Sequence, residues 1–310
     1  MSKDMKSNRI KILDDNLINL IAAGEIVERP ASVVKELLEN SLDAGANSID
    51  IEIEAGGKKR IVVTDDGVGM STEDAKLSIE RHATSKVGRM DDLKSIHTLG
   101  FRGEALPSIA SVSRMTLFTR MKDSTSGCEI RLEGGKLKYV RDAGIPKGTR
   151  VIVDDLFFSV PARRKFLKTE KTEYYHVLDV TNRAAISRPD VRFRLRVDGR
   201  EVINALPGSL RERVGSILGK KSADVMEEVG FEAEGVKVLG LVGSPEDTRT
   251  TRSNIFIYVN DRYVRDALVT SAIMRHTRDS YSISVSRLLP FLFSSHTLMS
   301  MSISTPRKYR

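Results

Sequence analysis

Three short motifs in a fixed order constrain this chain more than any other feature. Glu36 to Asn40 comes first, then Asp65-Asp66-Gly67-Val68-Gly69, then Gly100-Phe101-Arg102-Gly103-Glu104-Ala105-Leu106. They give an acid and an amide four apart on a helix, a carboxylate at a strand end, a glycine turn, and a second glycine loop that opens a helix. The order limits what else the chain could be, and the series reads as a nucleotide site that is not a P-loop.

The helix follows from spacing. Val33, Val34, Leu37, Leu38 and Leu42 recur with helical period, and Pro30 sits where a first turn accepts proline. Glu36, Asn40 and Asp43 fall at i, i+4 and i+7 and share one polar face beside that stripe. A carboxylate there can deprotonate a water, and an amide oxygen one turn on can ligate Mg2+. Taken alone, the pair is also what an ordinary solvated helix face presents.

Ser48 to Glu54 alternates as a half-buried strand does, Ala55-Gly56-Gly57 turns, and Lys59 to Thr64 return as a second strand. Asp65 then stands at the strand end. It can accept a hydrogen bond from an exocyclic amine such as adenine's, with Gly67 and Gly69 letting the backbone come close. A plain turn has the same composition. In Gly100 to Leu106, glycines bracket Phe101 and Arg102, and a helix starts near Glu104, so backbone N–H groups are available to phosphate. Upstream, Thr84, Ser85 and Lys86 supply hydroxyls and a cation for the same phosphates.

The run Ile21 to Leu37 resembles the MutL family of DNA mismatch-repair ATPases, as do Glu39 to Ala46, Arg81 to Lys86, Gly100 to Leu106 and Pro161 to Leu167. The likeness extends from about Lys11 to about Arg275. It implies a GHKL-type layered ATP-binding domain, with helices on a mixed sheet, followed by an α/β domain resembling ribosomal protein S-five. It also implies residue roles: Glu36 as general base, Asn40 as Mg2+ ligand with Asp43 beside it, and Asp65 as adenine anchor with Gly67 and Gly69 shaping its pocket. Thr84, Ser85 and Lys86 would belong to the lid. Gly100, Phe101, Arg102, Gly103, Glu104, Ala105 and Leu106 would wrap the triphosphate, and Thr149 would make a second adenine-side contact. In the family, ATP drives N-terminal dimerisation into a clamp on DNA that signals from a mismatch-sensing protein to downstream nucleases and helicases. A gyrase-like topoisomerase subunit is the nearest alternative, but it lacks the Pro161 to Leu167 pattern. A nucleotide-gated binding module without turnover and a DNA-binding scaffold that ignores ATP are readings of other classes.

Composition agrees. The net charge of +8 suits a nucleic-acid partner, and a lysine-rich soluble surface would give the same balance. Arg163 and Arg164 with Lys165, and Arg262 with Arg265, are the candidate DNA contacts. With no tryptophan and 5% aromatics, binding should be led by the backbone and independent of sequence. No stretch is apolar enough to span a membrane, and no secretory h-region opens the chain, so a cytoplasmic, DNA-associated protein is expected. Cys128 is the single cysteine, which excludes an internal disulfide and a thiolate metal cluster. Gly215 to Ser222 imitates a P-loop but has three residues between its glycines, and it ends an amphipathic helix.

The expected domains are 1–208 for ATP binding and 209–275 for the second, incomplete domain, with 276–310 an anomalous tail. Hairpins are expected at Gly134-Gly135 and Asp198-Gly199. In the second domain a helix is expected from about Ser209, strands over about Val236 to Val242 and Asn254 to Asn260, and a helix from about Asp266. Ser244 to Ser253 reads as a polar loop. From His276 the chain turns serine-rich, where the family has a strand and then Asp-Val-Asn-Val-His-Pro-x-Lys. Reading the codons of Leu298 to Lys308 one nucleotide earlier permits Asp-Val-Asp-Val-Asn-Ile-His-Pro-x-Lys, because each Met-Ser step yields Val when Ser is a TCN codon. The tail therefore reads as frameshifted. Its loss of the family's phosphate-reaching lysine predicts impaired hydrolysis, with nothing around Lys308 matching. The tail is further expected to lack the sheet-completing strand, exposing an edge or an apolar patch around Leu288, Leu289, Phe291, Leu292 and Phe293.

Overall fold

The computed structural model describes residues 24–86, 99–100, 103–233, 236–243, 255–272 and 297–303. Helix α1 (Pro30–Asp43) takes its proline at the first turn and buries Val33, Val34, Leu37, Leu38 and Leu42. Strand β1 (Ser48–Glu54) buries every second residue, so Ile49, Ile51 and Ile53 form one wall of the core. A tight turn over Ala55–Gly57 leads into β2 (Arg60–Asp65), which ends on Asp65.

After a short helix α2 (Thr72–Leu77) and α3 (Ala105–Ser111) come β3 (Arg114–Arg120), β4 (Gly127–Glu133), β5 (Lys136–Ala143) and β6 (Gly148–Asp154). Helices α4 (Pro161–Phe166) and α5 (Glu170–Ser187) follow, then the hairpin β7 (Arg192–Val197) and β8 (Arg200–Ala205). All eight strands join one sheet in the order β5-β4-β3-β6-β2-β1-β7-β8. Both expected hairpin turns are present; Asp198 and Gly199 both adopt positive φ, as a two-residue turn that follows the strand twist requires.

The second sheet has its own helices. Ser209 caps α6 (Leu210–Leu218) in a reciprocal capping box with Glu212. The P-loop-like stretch is the end of α6, Gly219 at its C-cap, and the start of α7 (Lys220–Asp224). Strands β9 (Glu227–Ala233), β10 (Val236–Val242), β11 (Ile255–Val259), β12 (Arg262–Val264) and β13 (Thr297–Ile303) form a sheet in the order β12-β11-β13-β10-β9. Its core gathers Ile186, Val214, Ala223, Met226, Leu241, Phe256 and Tyr258. Arg213 is buried beside it, and its guanidinium donates to the carbonyls of Ala185, Arg188, Pro189, Val191 and Leu206.

One expectation is overturned here. The tail does supply a sheet strand: β13 lies between β10 and β11, antiparallel to the first from Val236↔Ile303 to Val242↔Thr297 and parallel to the second. Leu298, Met299, Met301 and Ile303 give the serine-rich text enough apolar residues for extended pairing, a pattern masked by counting serines. The apolar run around Phe291, Lys308 and the loop 244–253 lie outside the described residues. Compact packing divides the chain after Ala46, Asp50, Val177, Arg196 and Gly199.

Candidate active site

Asp65 is the best-defined group of the site. It is 9% exposed, and its three donors come from three directions. Ser41 Oγ donates to Oδ2 at 2.9 Å, while the backbone N–H groups of Gly67 and Thr149 donate to Oδ1 at 2.9 Å and 3.3 Å. Burial pushes the Asp65 carboxyl above its ordinary range, and these donors offset part of that rise. Thr149 is placed by register, since it pairs with Asp65 across β2 and β6. Thr119 completes the arrangement: its Oγ1 accepts from Met70 N–H at 2.9 Å and lies 3.2 Å from Thr149 Oγ1.

Two glycines make this approach possible. Gly148 has φ +111°, and a Cβ on it would stand 2.0 Å from the Asp65 carbonyl oxygen. Gly69 has φ +69°, and a Cβ there would stand 2.1 Å from the Arg120 carbonyl oxygen.

The polar face of α1 carries the other groups. Lys86 Nζ donates to Asn40 Oδ1 at 3.2 Å and to Asp43 Oδ2 at 2.6 Å. Asp43 also accepts the backbone N–H groups of Leu99 at 2.8 Å and Gly100 at 3.0 Å, so one carboxylate holds both the Lys86 ammonium and the start of the glycine loop. Lys35 Nζ lies 3.1 Å from Glu36 Oε1 and 3.0 Å from Glu39 Oε1. Burial works to lower the Lys35 ammonium's pKa, yet the two carboxylates hold it above its ordinary value. Burial likewise pushes the Glu39 carboxyl up, against the pull of Lys35.

These residues line one cavity of about 1110 Å³. Glu36, Asn40, Asp43, Asp65, Gly69, Thr84, Ser85, Lys86, Gly100, Gly103, Glu104, Ala105, Leu106 and Thr149 all border it, and Gly67 adjoins through its hydrogen bond to Asp65. Phe101 and Arg102 lie outside the described residues. Glu104 precedes α3 and pairs with His82 at 3.3 Å, Nδ1 to Oε1. Sequence reasoning missed Ser41, Thr119, Lys35 and Glu39. Ser41 had a signal, being a hydroxyl one turn after Leu37 on the apolar stripe; Thr119 had none, because only strand pairing brings it there.

The basic residues separate. Arg164 is exposed on α4. Arg163 turns inward, its guanidinium 5.8 Å from the Phe157 ring centroid and against Gly24, where a Cβ would meet it at 1.7 Å. Arg262 and Arg265 are exposed at and just after β12.

A cavity of this volume suits a nucleotide, and its lining offers an acceptor carboxylate together with hydroxyls, an ammonium and glycine backbone. Asn40 Oδ1 is a hard oxygen, the kind of atom Mg2+ takes as a ligand, and here it accepts from the Lys86 ammonium. No described helix is long and apolar enough to cross a membrane.

The comparisons with known proteins point the same way. A family described as "Histidine kinase-, DNA gyrase B-, and HSP90-like ATPase" matches residues 28–150, and "DNA mismatch repair protein, C-terminal domain" matches residues 214–293, running past His276. The DNA mismatch repair protein MutL of Geobacter sulfurreducens is 53% identical over 272 residues, covering 88% of this chain and 45% of that protein. MutL of Geotalea daltonii is 52% identical over 273 residues, covering 88% and 46%. The chain thus spans about half the length of the curated relatives it matches. Among solved structures, the Aquifex aeolicus MutL ATPase domain complexed with ADP superposes with a TM-score of 0.65 at 30% identity, covering 90% of this chain and 93% of that one. The chain belongs to the MutL family of DNA mismatch-repair proteins and has its GHKL ATPase fold.

Proposed function

We propose that this chain binds and hydrolyses Mg-ATP in the cavity beside α1. The observation that carries the reading is the meeting of two chemistries in one cavity: Asp65, fixed by three donors, and the Glu36–Asn40 face of α1. Asp65 would accept the adenine amine, with Thr149 beside it. Thr84, Ser85, Lys86 and the glycine loop from Gly100 to Leu106 would hold the phosphates. Glu36 would take the proton of the attacking water. Asn40 would hold Mg2+, which when bound neutralises charge developing on the phosphoryl oxygens.

The test is Mg2+-dependent turnover by the wild-type chain and by Glu36→Ala, with nucleotide binding followed in the same samples. Loss of about 100-fold or more in turnover with binding retained supports the reading, since a general base contributes on that scale. Equal turnover in both proteins overturns it.

The family relationship supports a wider role. The chain would act in the cytoplasm in DNA mismatch repair, dimerise when ATP binds, and close as a clamp that couples a mismatch-sensing protein to downstream nucleases or helicases. Arg164, Arg262 and Arg265 are the exposed candidates for DNA contact, and Arg163 would join them only by leaving its place against Phe157. A boundary at 208/209 would fall between the end of β8 at Ala205 and the capping box at Ser209, with β13 carrying the second domain's sheet beyond residue 275. The Met-Ser repeat before Pro306 supports a frameshifted tail, and with it impaired hydrolysis. The genomic locus tests this: an intact frame near codon 276 sinks it.

A further inference from the structure

We propose that Lys35 is a positioning residue for the Glu36 carboxylate, and that Glu39 is the anchor that keeps Lys35 in place. The inference rests on Glu36 being the lytic base, and it concerns two residues that role leaves unexplained.

Adjacent residues of a helix do not face each other, because each is turned about 100° from the last. The Lys35 stem nevertheless brings its ammonium to 3.1 Å from Glu36 Oε1. It can stay there because Glu39, one turn on, holds the same ammonium at 3.0 Å. A flexible four-carbon stem held at one point costs entropy and positions little. Held at two points, it becomes a bracket. The Lys35 side chain is half exposed, whereas those of Glu36 and Glu39 are about one-quarter exposed, so both carboxylates sit where desolvation gives the pair weight. All three residues border the cavity that holds Asn40 and Lys86. Among the described residues Lys35 is a cation paired with Glu36, while Lys86 is engaged with Asn40 and Asp43. One ammonium is committed to the base and another to the phosphate end.

A general base must sit within hydrogen-bond reach of the proton it takes, and small misplacements lower the rate steeply. A carboxylate on a freely rotating stem has several rotamers, and the Lys35 bracket selects one.

The experiment measures steady-state ATP hydrolysis by the whole chain carrying Lys35→Met, Lys35→Arg or Glu39→Gln, and by Lys35→Met in a Glu36→Gln background. A fluorescent ATP analogue reports binding in parallel. Lys35→Met should lower kcat about 10- to 100-fold, the scale of a misplaced catalytic group, with KM and analogue affinity within about twofold. Glu39→Gln should follow in the same direction, and Lys35→Arg should recover most of the loss. In the Glu36→Gln background, Lys35→Met should change nothing further, because a residue acting through Glu36 has no other route. A raised KM with unchanged kcat would assign Lys35 to phosphate binding and overturn the proposal, as would an undiminished effect without Glu36. If the wild type binds ATP but turns none over, the proposed hydrolysis fails for this chain, whether the base or the tail is at fault. The double-mutant cycle is then read from urea midpoints, where absence of coupling between positions 35 and 36 overturns the bracket itself.

Discussion

Asp65 and Thr149 face each other in the antiparallel β2–β6 ladder, and the Thr149 backbone N–H donates to Asp65 Oδ1 at 3.3 Å. The Asp65 carboxylate is thus held by the sheet itself, with Ser41 fixing its second oxygen from α1. Because the register sets this contact, neither residue can move without unpairing the ladder.

Asp65→Asn should lose ATP binding by at least about tenfold, the cost of replacing an acceptor with a donor at a buried recognition point. Its effect on stability should depend on pH. Burial raises the folded-state pKa of Asp65, so the native state holds its proton more tightly than the unfolded chain. Stability tied to this group is then full below the ordinary carboxylate pKa and falls as pH rises through the folded value. The variant's melting temperature relative to wild type should therefore be more favourable at pH 7 than at pH 4. Thermal melts across that range check the sign, and the opposite trend contradicts it.

Gly69→Ala should destabilise the chain by about 1–3 kcal/mol, the usual cost of forcing a side chain into a strained backbone position. Its Cβ would press on the Arg120 carbonyl. Urea midpoints measure this, and a neutral outcome would mean that the turn after Asp65 relaxes without cost.

Asp43→Ala should loosen Lys86 and the start of the glycine loop from α1. The Leu99 and Gly100 amides and the Lys86 ammonium each lose a bond to this carboxylate, and Lys86 keeps Asn40. Hydrogen exchange at Leu99 and Gly100 should accelerate, and KM for ATP should rise about tenfold, the equivalent of one charge-assisted bond of about 1.5 kcal/mol. Unchanged exchange at both amides would count against Asp43 as the tether.

Arg213→Ala should cost about 4 kcal/mol or more, because it strips a partner from five backbone carbonyls, each worth about 1–3 kcal/mol if left unsatisfied. Burial already lowers the pKa of this guanidinium, and Asp190 offsets part of that effect. Arg213→Lys should recover little of the loss, because an ammonium lacks the planar fork of donors. Urea unfolding of both variants decides this.

Much of the site was legible because its residues are local in sequence. Helical spacing put Glu36, Asn40 and Asp43 on one face, alternation fixed β1, and the strand end placed Asp65. Thr149 was reachable through family likeness, and register explains its place. What stayed hidden depends on pairing or on neighbours. Thr119 reaches Thr149 only across β3 and β6, and Arg163 points inward because Phe157 and Gly24 receive it. Strands β9 and β12 carry no clean alternation, and β13 was hidden by its serines, although its apolar residues suffice for a strand between β10 and β11.

The central claim is that the cavity beside α1 turns over ATP with Glu36 as base. The most direct measurement is Mg2+-dependent phosphate release by the purified chain and its Glu36→Ala variant at saturating ATP. The account predicts slow but measurable release by wild type, a loss of about 100-fold or more in the variant, and equal nucleotide binding by both. Release at the same rate from both proteins would contradict it.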